Sequence, residues 1–93
     1  MLEEIKKLLR VTGTAFNDEV QGLIDECKED LRLSGIRSET IEEDDVMIKR
    51  AIRTYCKAHF GYENPDKDGL LLSYQSLKTH LMCSIEYGSD YVA

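Results

Sequence analysis

Between residues 17 and 35 the apolar side chains fall at Val20, Leu23, Ile24, Cys27 and Leu31, an i, i+3, i+4, i+7, i+11 series. A helix with 3.6 residues per turn brings all five to one face, whereas a strand, with its period of two, scatters them over both. Asn17 or Asp18 can cap this helix and Ser34-Gly35 can end it. Similar spacing recurs in three further segments, set apart by breakers and polar stretches. Leu2, Ile5, Leu8 and Leu9 define a short first helix that stops at "VTGT". Ile48, Ala51, Ile52, Tyr55 and either Ala58 or His59 form the inner face of a third, from about Asp45 to Phe60. Leu70, Tyr74, Leu77, Leu81 and Ile85 line a fourth. No segment reads as a strand, so the predicted class is all-α, a bundle of about four helices, one short and three longer.

The 93 residues hold one domain, and a chain of this size buries roughly 60% of the surface that it exposes when unfolded. That domain is predicted to span 1–85. Residues 86–93, "EYGSDYVA", lack the helical pattern and are expected to form a flexible or partner-ordered tail. No apolar run approaches the ~20 residues of a membrane span. The start "MLEEIKKLLR" lacks the apolar centre and small-residue cleavage site of a secretory signal, which makes an intracellular product the expectation. Three cysteines without CxxC spacing fit reduced thiols, with Cys27 and Cys83 expected as small core residues. A net charge of −6, from 18 acids against 12 bases, argues against a general affinity for nucleic acid or anionic lipid.

Two stretches imitate metal sites. In "YENPDKDGLLLSYQ", Asn64, Asp66, Asp68, Gly69 and Leu71 match the opening positions of an EF-hand loop. Gln75, however, stands where a bidentate glutamate must clamp the ion, Leu72 offers no ligand, and Pro65 constrains the turn. The same residues make a helix start: Asn64 as the cap, Pro65 at the first helical position, and Asp66 and Asp68 near the positive helix end. Gly69 costs up to ~1 kcal/mol relative to alanine inside a helix, and a close helix approach is the expected reason for it. Cys56/His59 and His80/Cys83 are two pairs with zinc-ligand spacing. An antiparallel hairpin of the third and fourth helices would hold them roughly 18 Å apart. No metal or cofactor is expected. Nor is an enzyme: there is no GxSxG context, no His/Cys/acid trio and no phosphate-binding glycine loop, so no catalytic residue is assigned.

The charge is patterned more tellingly. Residues 36–45, "IRSETIEEDD", carry Glu39, Glu42, Glu43, Asp44 and Asp45, and the last of these suit the positive N-terminus of the third helix. Lys49, Arg50, Arg53 and Lys57 then occupy the outer faces of that helix. A helix-turn-helix is not the explanation, because its turn takes 3 to 4 residues and this connection runs to about ten, rich in acids. A solvated or interface-facing charged side is the plainer reading.

Taken in order, "EEIKKLLRVTG", "FNDEVQGLIDECKEDLRLSGI", "DDVMIKRAIRTYCKAHFGYENPD" and "SYQSLKTHL" resemble the small head-to-tail connector proteins of tailed bacteriophages, also called neck adaptor or DNA-packaging proteins. The resemblance runs to about residue 87, and the "FGYENPD" junction is its most specific part. It implies a helical, non-enzymatic protein made in the bacterial host cytoplasm and placed at the head-tail junction of the virion. There it would form a ring of copies beneath the portal protein, offer a surface to a further neck or tail protein, and let DNA pass without sequence-specific binding. A closed ring needs two different patches per protomer. Glu39, Glu42, Glu43, Asp44 and Asp45 against Lys49, Arg50, Arg53 and Lys57 are the candidate subunit interface, and Tyr87, Tyr91 and Val92 the candidate partner-docking anchors. Two other readings stand beside this one: a small acidic regulatory module of inhibitor or antitoxin type, and a helical nucleic-acid-binding domain using the third helix.

Overall fold

The computed structural model describes residues 1–61, 64–84 and 86–88. Tyr62, Ile85, Tyr91 and Val92 lie outside the described residues. Within the described residues four α-helices follow one another, α1 (Leu2–Leu9), α2 (Asn17–Leu33), α3 (Val46–His59) and α4 (Lys67–Met82), with one 3-10 turn at Ser38–Thr40. Among the described residues there is no strand, only an isolated antiparallel bridge between Ile36 and Gly88. The all-α expectation holds. α3 is the central element: α4 and α2 pack on it, and α1 touches both α2 and α3.

The inner faces follow the predicted spacing except at Leu8 and Leu70, which were expected inward but are half-buried at the edge of the core and line an open groove instead. Val20, Ile24, Cys27 and Leu31 of α2 are buried with Ile48, Ala51 and Ile52 of α3 and Tyr74 and Leu81 of α4. Each large aliphatic side chain buried in this way contributes roughly 1.5–3 kcal/mol. At the end of α3 it is Ala58 that is buried, while His59 is exposed with its ring 4.3 Å from that of Tyr55. The cysteines are redistributed. Cys56 is fully buried between the inward positions, and burial pushes its thiol, like that of Cys27, up to about 12. Cys83, expected in the core, is exposed, because it stands two positions past the buried Leu81 and so on the far side of the helix.

A polar knot ties α2 to α4 across this core. Tyr74 donates its hydroxyl proton to Asp30 Oδ2 at 2.6 Å, Lys78 Nζ lies 3.0 Å from the same oxygen, and Cys27 Sγ donates to the Tyr74 oxygen at 3.7 Å. Burial alone would raise the Asp30 carboxyl, but the Tyr74 and Lys78 hydrogen bonds outweigh it and hold the group below its ordinary range.

The helix ends show where local signals prevail and where they do not. α2 ends at Ser34-Gly35 as expected, and the structure shows that it does so in a Schellman turn: Gly35 N–H donates to the Arg32 carbonyl, Ile36 N–H to the Leu31 carbonyl, and Gly35 takes φ 103. Its start departs from the expected Asn17 or Asp18 cap. Phe16 occupies the cap position without a side-chain bond, and Asn17 Oδ1 is buried without a partner. The Phe16 ring instead packs edge-on against Phe60, centroids 5.6 Å apart, so an aromatic contact sets how the chain enters α2.

α4 also begins two residues later than a Pro65 start would give. Asn64 Oδ1 accepts from the Asp66 N–H at 3.1 Å and the Asn64 amide donates to the Lys57 carbonyl at 2.7 Å, so the asparagine closes a turn and clasps it to the end of α3. From Lys67 onward the would-be calcium loop is helical. Nothing stands within 4 Å of a Cβ built on Gly69, so no close helix approach within the chain accounts for that glycine.

Candidate assembly surfaces

α3 presents one face to the core and another to solvent, and the outer face carries a stripe of its own. Val46, Arg50, Arg53 and Lys57 follow the i, i+4, i+7, i+11 spacing, and Val46 is 78% exposed. With Leu8 from α1 and Leu70 from α4 they line an open groove of about 430 Å³ that combines apolar and basic side chains. Lys49, which also lines the groove, reaches Glu4 of α1 at 3.2 Å. For Arg50, Arg53 and Lys57 there is no carboxylate within ion-pair distance among the described residues.

A second groove, also about 430 Å³, lies beyond the N-terminal end of α3 and is lined by Glu39, Thr40, Glu42, Asp44, Asp45, Glu86 and Tyr87. Asp45 is its structural pivot. One carboxylate oxygen accepts from the Met47 and Ile48 N–H groups at 2.9 and 3.1 Å, the N-cap arrangement that the acidic run predicts. The Tyr87 hydroxyl donates to the same carboxylate, 3.0 and 2.9 Å from its two oxygens, and this bond raises the tyrosine's pKa. Glu43 alone of the five acids turns away. It pairs with Lys28 of α2, whose hydrogen bond lowers the Glu43 carboxyl below its ordinary range.

Four of the five predicted acids therefore meet in one groove and the four predicted bases in another. Among the described residues the two sets do not pair with each other: Glu43 pairs with Lys28 and, at 3.7 Å, with the Met1 amino group, Glu39 with Arg37 at 3.9 Å, and Lys49 with Glu4. Tyr87 is half-buried and packed on the core rather than free in a tail. Sequence reasoning did not anticipate Leu8, Val46 and Leu70 in the basic groove or Glu86 in the acidic one. Val46 alone had a signal, its place one turn before Arg50 on the same stripe.

Among the described residues no three His, Cys, Asp or Glu side chains converge in a way that could hold a metal ion, and no described helix is long and apolar enough to cross a membrane. Residues 1–88 match the family model described as phage connector protein. The chain belongs to that family. No curated protein and no solved structure matches it. The family is one of structural phage proteins, and the all-α architecture agrees with that role.

Proposed function

We propose that this connector protein forms a ring beneath the portal of the DNA-filled phage head and joins it to a neck or tail protein, acting by assembly and not by catalysis. Copies pair head to tail, the basic groove of one (Lys49, Arg50, Arg53, Lys57) seated on the acidic groove of the next (Glu39, Glu42, Asp44, Asp45). The observation that carries this reading is that Arg50, Arg53 and Lys57 lack a carboxylate partner among the described residues of their own chain, while an acidic groove of similar volume lies elsewhere on it. A heterologous interface of this kind, repeated around an axis, closes a ring. Leu8, Val46 and Leu70 give the contact apolar area to bury, and the charges set register and partner choice more than affinity. The net charge of −6 favours a channel wall along which DNA slides without being held.

The test is the mass of the purified protein with and without portal, for the wild type and for Arg53→Glu. The wild type is expected to form a ring on the portal, the variant to fail, and Arg53→Glu combined with Glu42→Arg to recover part of the assembly. Unchanged assembly by Arg53→Glu would refute the charge pairing. Retardation of duplex DNA at moderate salt, lost in that variant, would assign the row to phosphates instead.

A further inference from the structure

The acidic groove is made from two pieces of chain that lie far apart in sequence, residues 39–45 and residues 86–87. The second piece is fastened to the body at several points. The Arg37 N–H donates to the Tyr87 carbonyl at 2.7 Å, the Arg37 guanidinium to the Glu86 carbonyl at 2.7 Å, and the Tyr87 hydroxyl to Asp45. Gly88 bridges to Ile36, and its N–H donates to the Ser84 carbonyl at 2.8 Å.

Gly88 shows that this docking is built into the chain. It is buried, and a Cβ placed on it would stand 2.3 Å from the Met82 carbonyl oxygen and 2.8 Å from that of Ser84. Both obstacles are backbone, so no side chain fits without moving the end of α4 or the segment itself. A segment that merely frayed into solvent would have no such requirement.

We infer that residues 86–88 are a working part of the acidic pairing face, locked in place by Gly88, so that the face which receives the basic groove of a second copy is complete only while this segment is docked. The inference rests on the head-to-tail pairing proposed above and adds its control. The docked segment supplies a fifth carboxylate, Glu86, beside Glu39, Glu42, Asp44 and Asp45, and Tyr87 forms a wall of the groove. Any partner that drew the segment away would remove both. Gly88 is in this sense a positioning residue.

The experiment compares full-length wild type, Gly88→Ala, Glu86→Gln and Arg53→Glu by sedimentation at low salt up to millimolar concentration, with amide hydrogen exchange and circular dichroism on the same samples. Gly88→Ala is expected to retain its helix content, to exchange faster at Arg37 and Gly88, whose amides are bonded in the docked state, and to self-associate about tenfold more weakly, as loss of a strong interface contact does. Glu86→Gln tests the face without touching the fold, since Glu86 is exposed, and is expected to weaken association about two- to threefold, the scale of one rim charge. Self-association of Gly88→Ala and Glu86→Gln at wild-type strength, with Arg53→Glu impaired, overturns this inference and leaves the pairing proposal standing. An Arg53→Glu variant that associates like the wild type, or a wild type that associates neither alone nor on the portal, overturns both.

Discussion

The basic and the acidic grooves have similar volumes, each about 430 Å³, but they are made in different ways. The charges of the basic groove come from a single stripe of α3, whose regular 3.6-residue turn sets their spacing once the helix forms. The acidic groove is assembled from a connecting loop and a segment more than forty residues later, joined through Tyr87 and Asp45. A surface carried on one helix face survives as long as the helix does. A surface assembled from two loops also needs the contacts between them, so the two grooves should respond differently to mutation.

The largest difference is expected at Asp45. Asp45→Ala removes the α3 cap and leaves the Tyr87 hydroxyl without its acceptor, at a cost of about 2 kcal/mol in chemical denaturation. It should also speed amide exchange in residues 86–88, and slow exchange there would mean that the segment is held without Asp45. Tyr87→Phe keeps the ring and loses only the hydrogen bond, so about 1 kcal/mol is expected from the same measurement. Gly69→Ala, beside the Leu70 wall of the basic groove, should raise stability by about 0.5–1 kcal/mol, because nothing in the chain approaches the missing Cβ. Arg53→Ala should fall within about 0.5 kcal/mol of wild type, because Arg53 is a solvent-facing charge with no ion-pair partner among the described residues. A clearly larger loss there would show that the basic face is built into the fold after all.

Acid sharpens the same contrast. Glu43, held low by Lys28, and Asp30, whose Tyr74 and Lys78 bonds outweigh its burial, both have folded-state pKa values below their unfolded ones. Their contribution is therefore fully present above the ordinary carboxylate pKa of about 4 and is lost as pH falls through the lower folded values. Thermal midpoints measured from pH 6 downward should hold until about pH 4 and then decline, and Asp30→Asn should flatten part of that decline.

The expectations that failed share a cause. Asn17 and Pro65 each carry a legitimate helix-start signal, and each lost to a contact from elsewhere: the Phe16 ring on Phe60, and the Asn64 amide on the Lys57 carbonyl. Cys56 and Cys83 were both weighed as zinc ligands, and the register of helices α3 and α4 sent one into the core and the other to solvent. The calcium resemblance dissolved for a local reason, since residues from Lys67 onward continue as helix.

By itself the sequence determined the order of the helices, most of their inner faces, the stop of α2 at Gly35 and the row of bases on α3. All of these follow from spacings within a few turns, where backbone geometry alone decides which side chains share a face. Only the tertiary structure decided that Glu43 leaves the acidic set, that Glu86 and Tyr87 join it, and that Gly88 must be glycine. Gly88 shows no positive φ that would explain the choice. What excludes a side chain there is the carbonyls of Met82 and Ser84 beside it, a constraint set by how the chain folds back on the end of α4 and carried by no periodicity in the sequence.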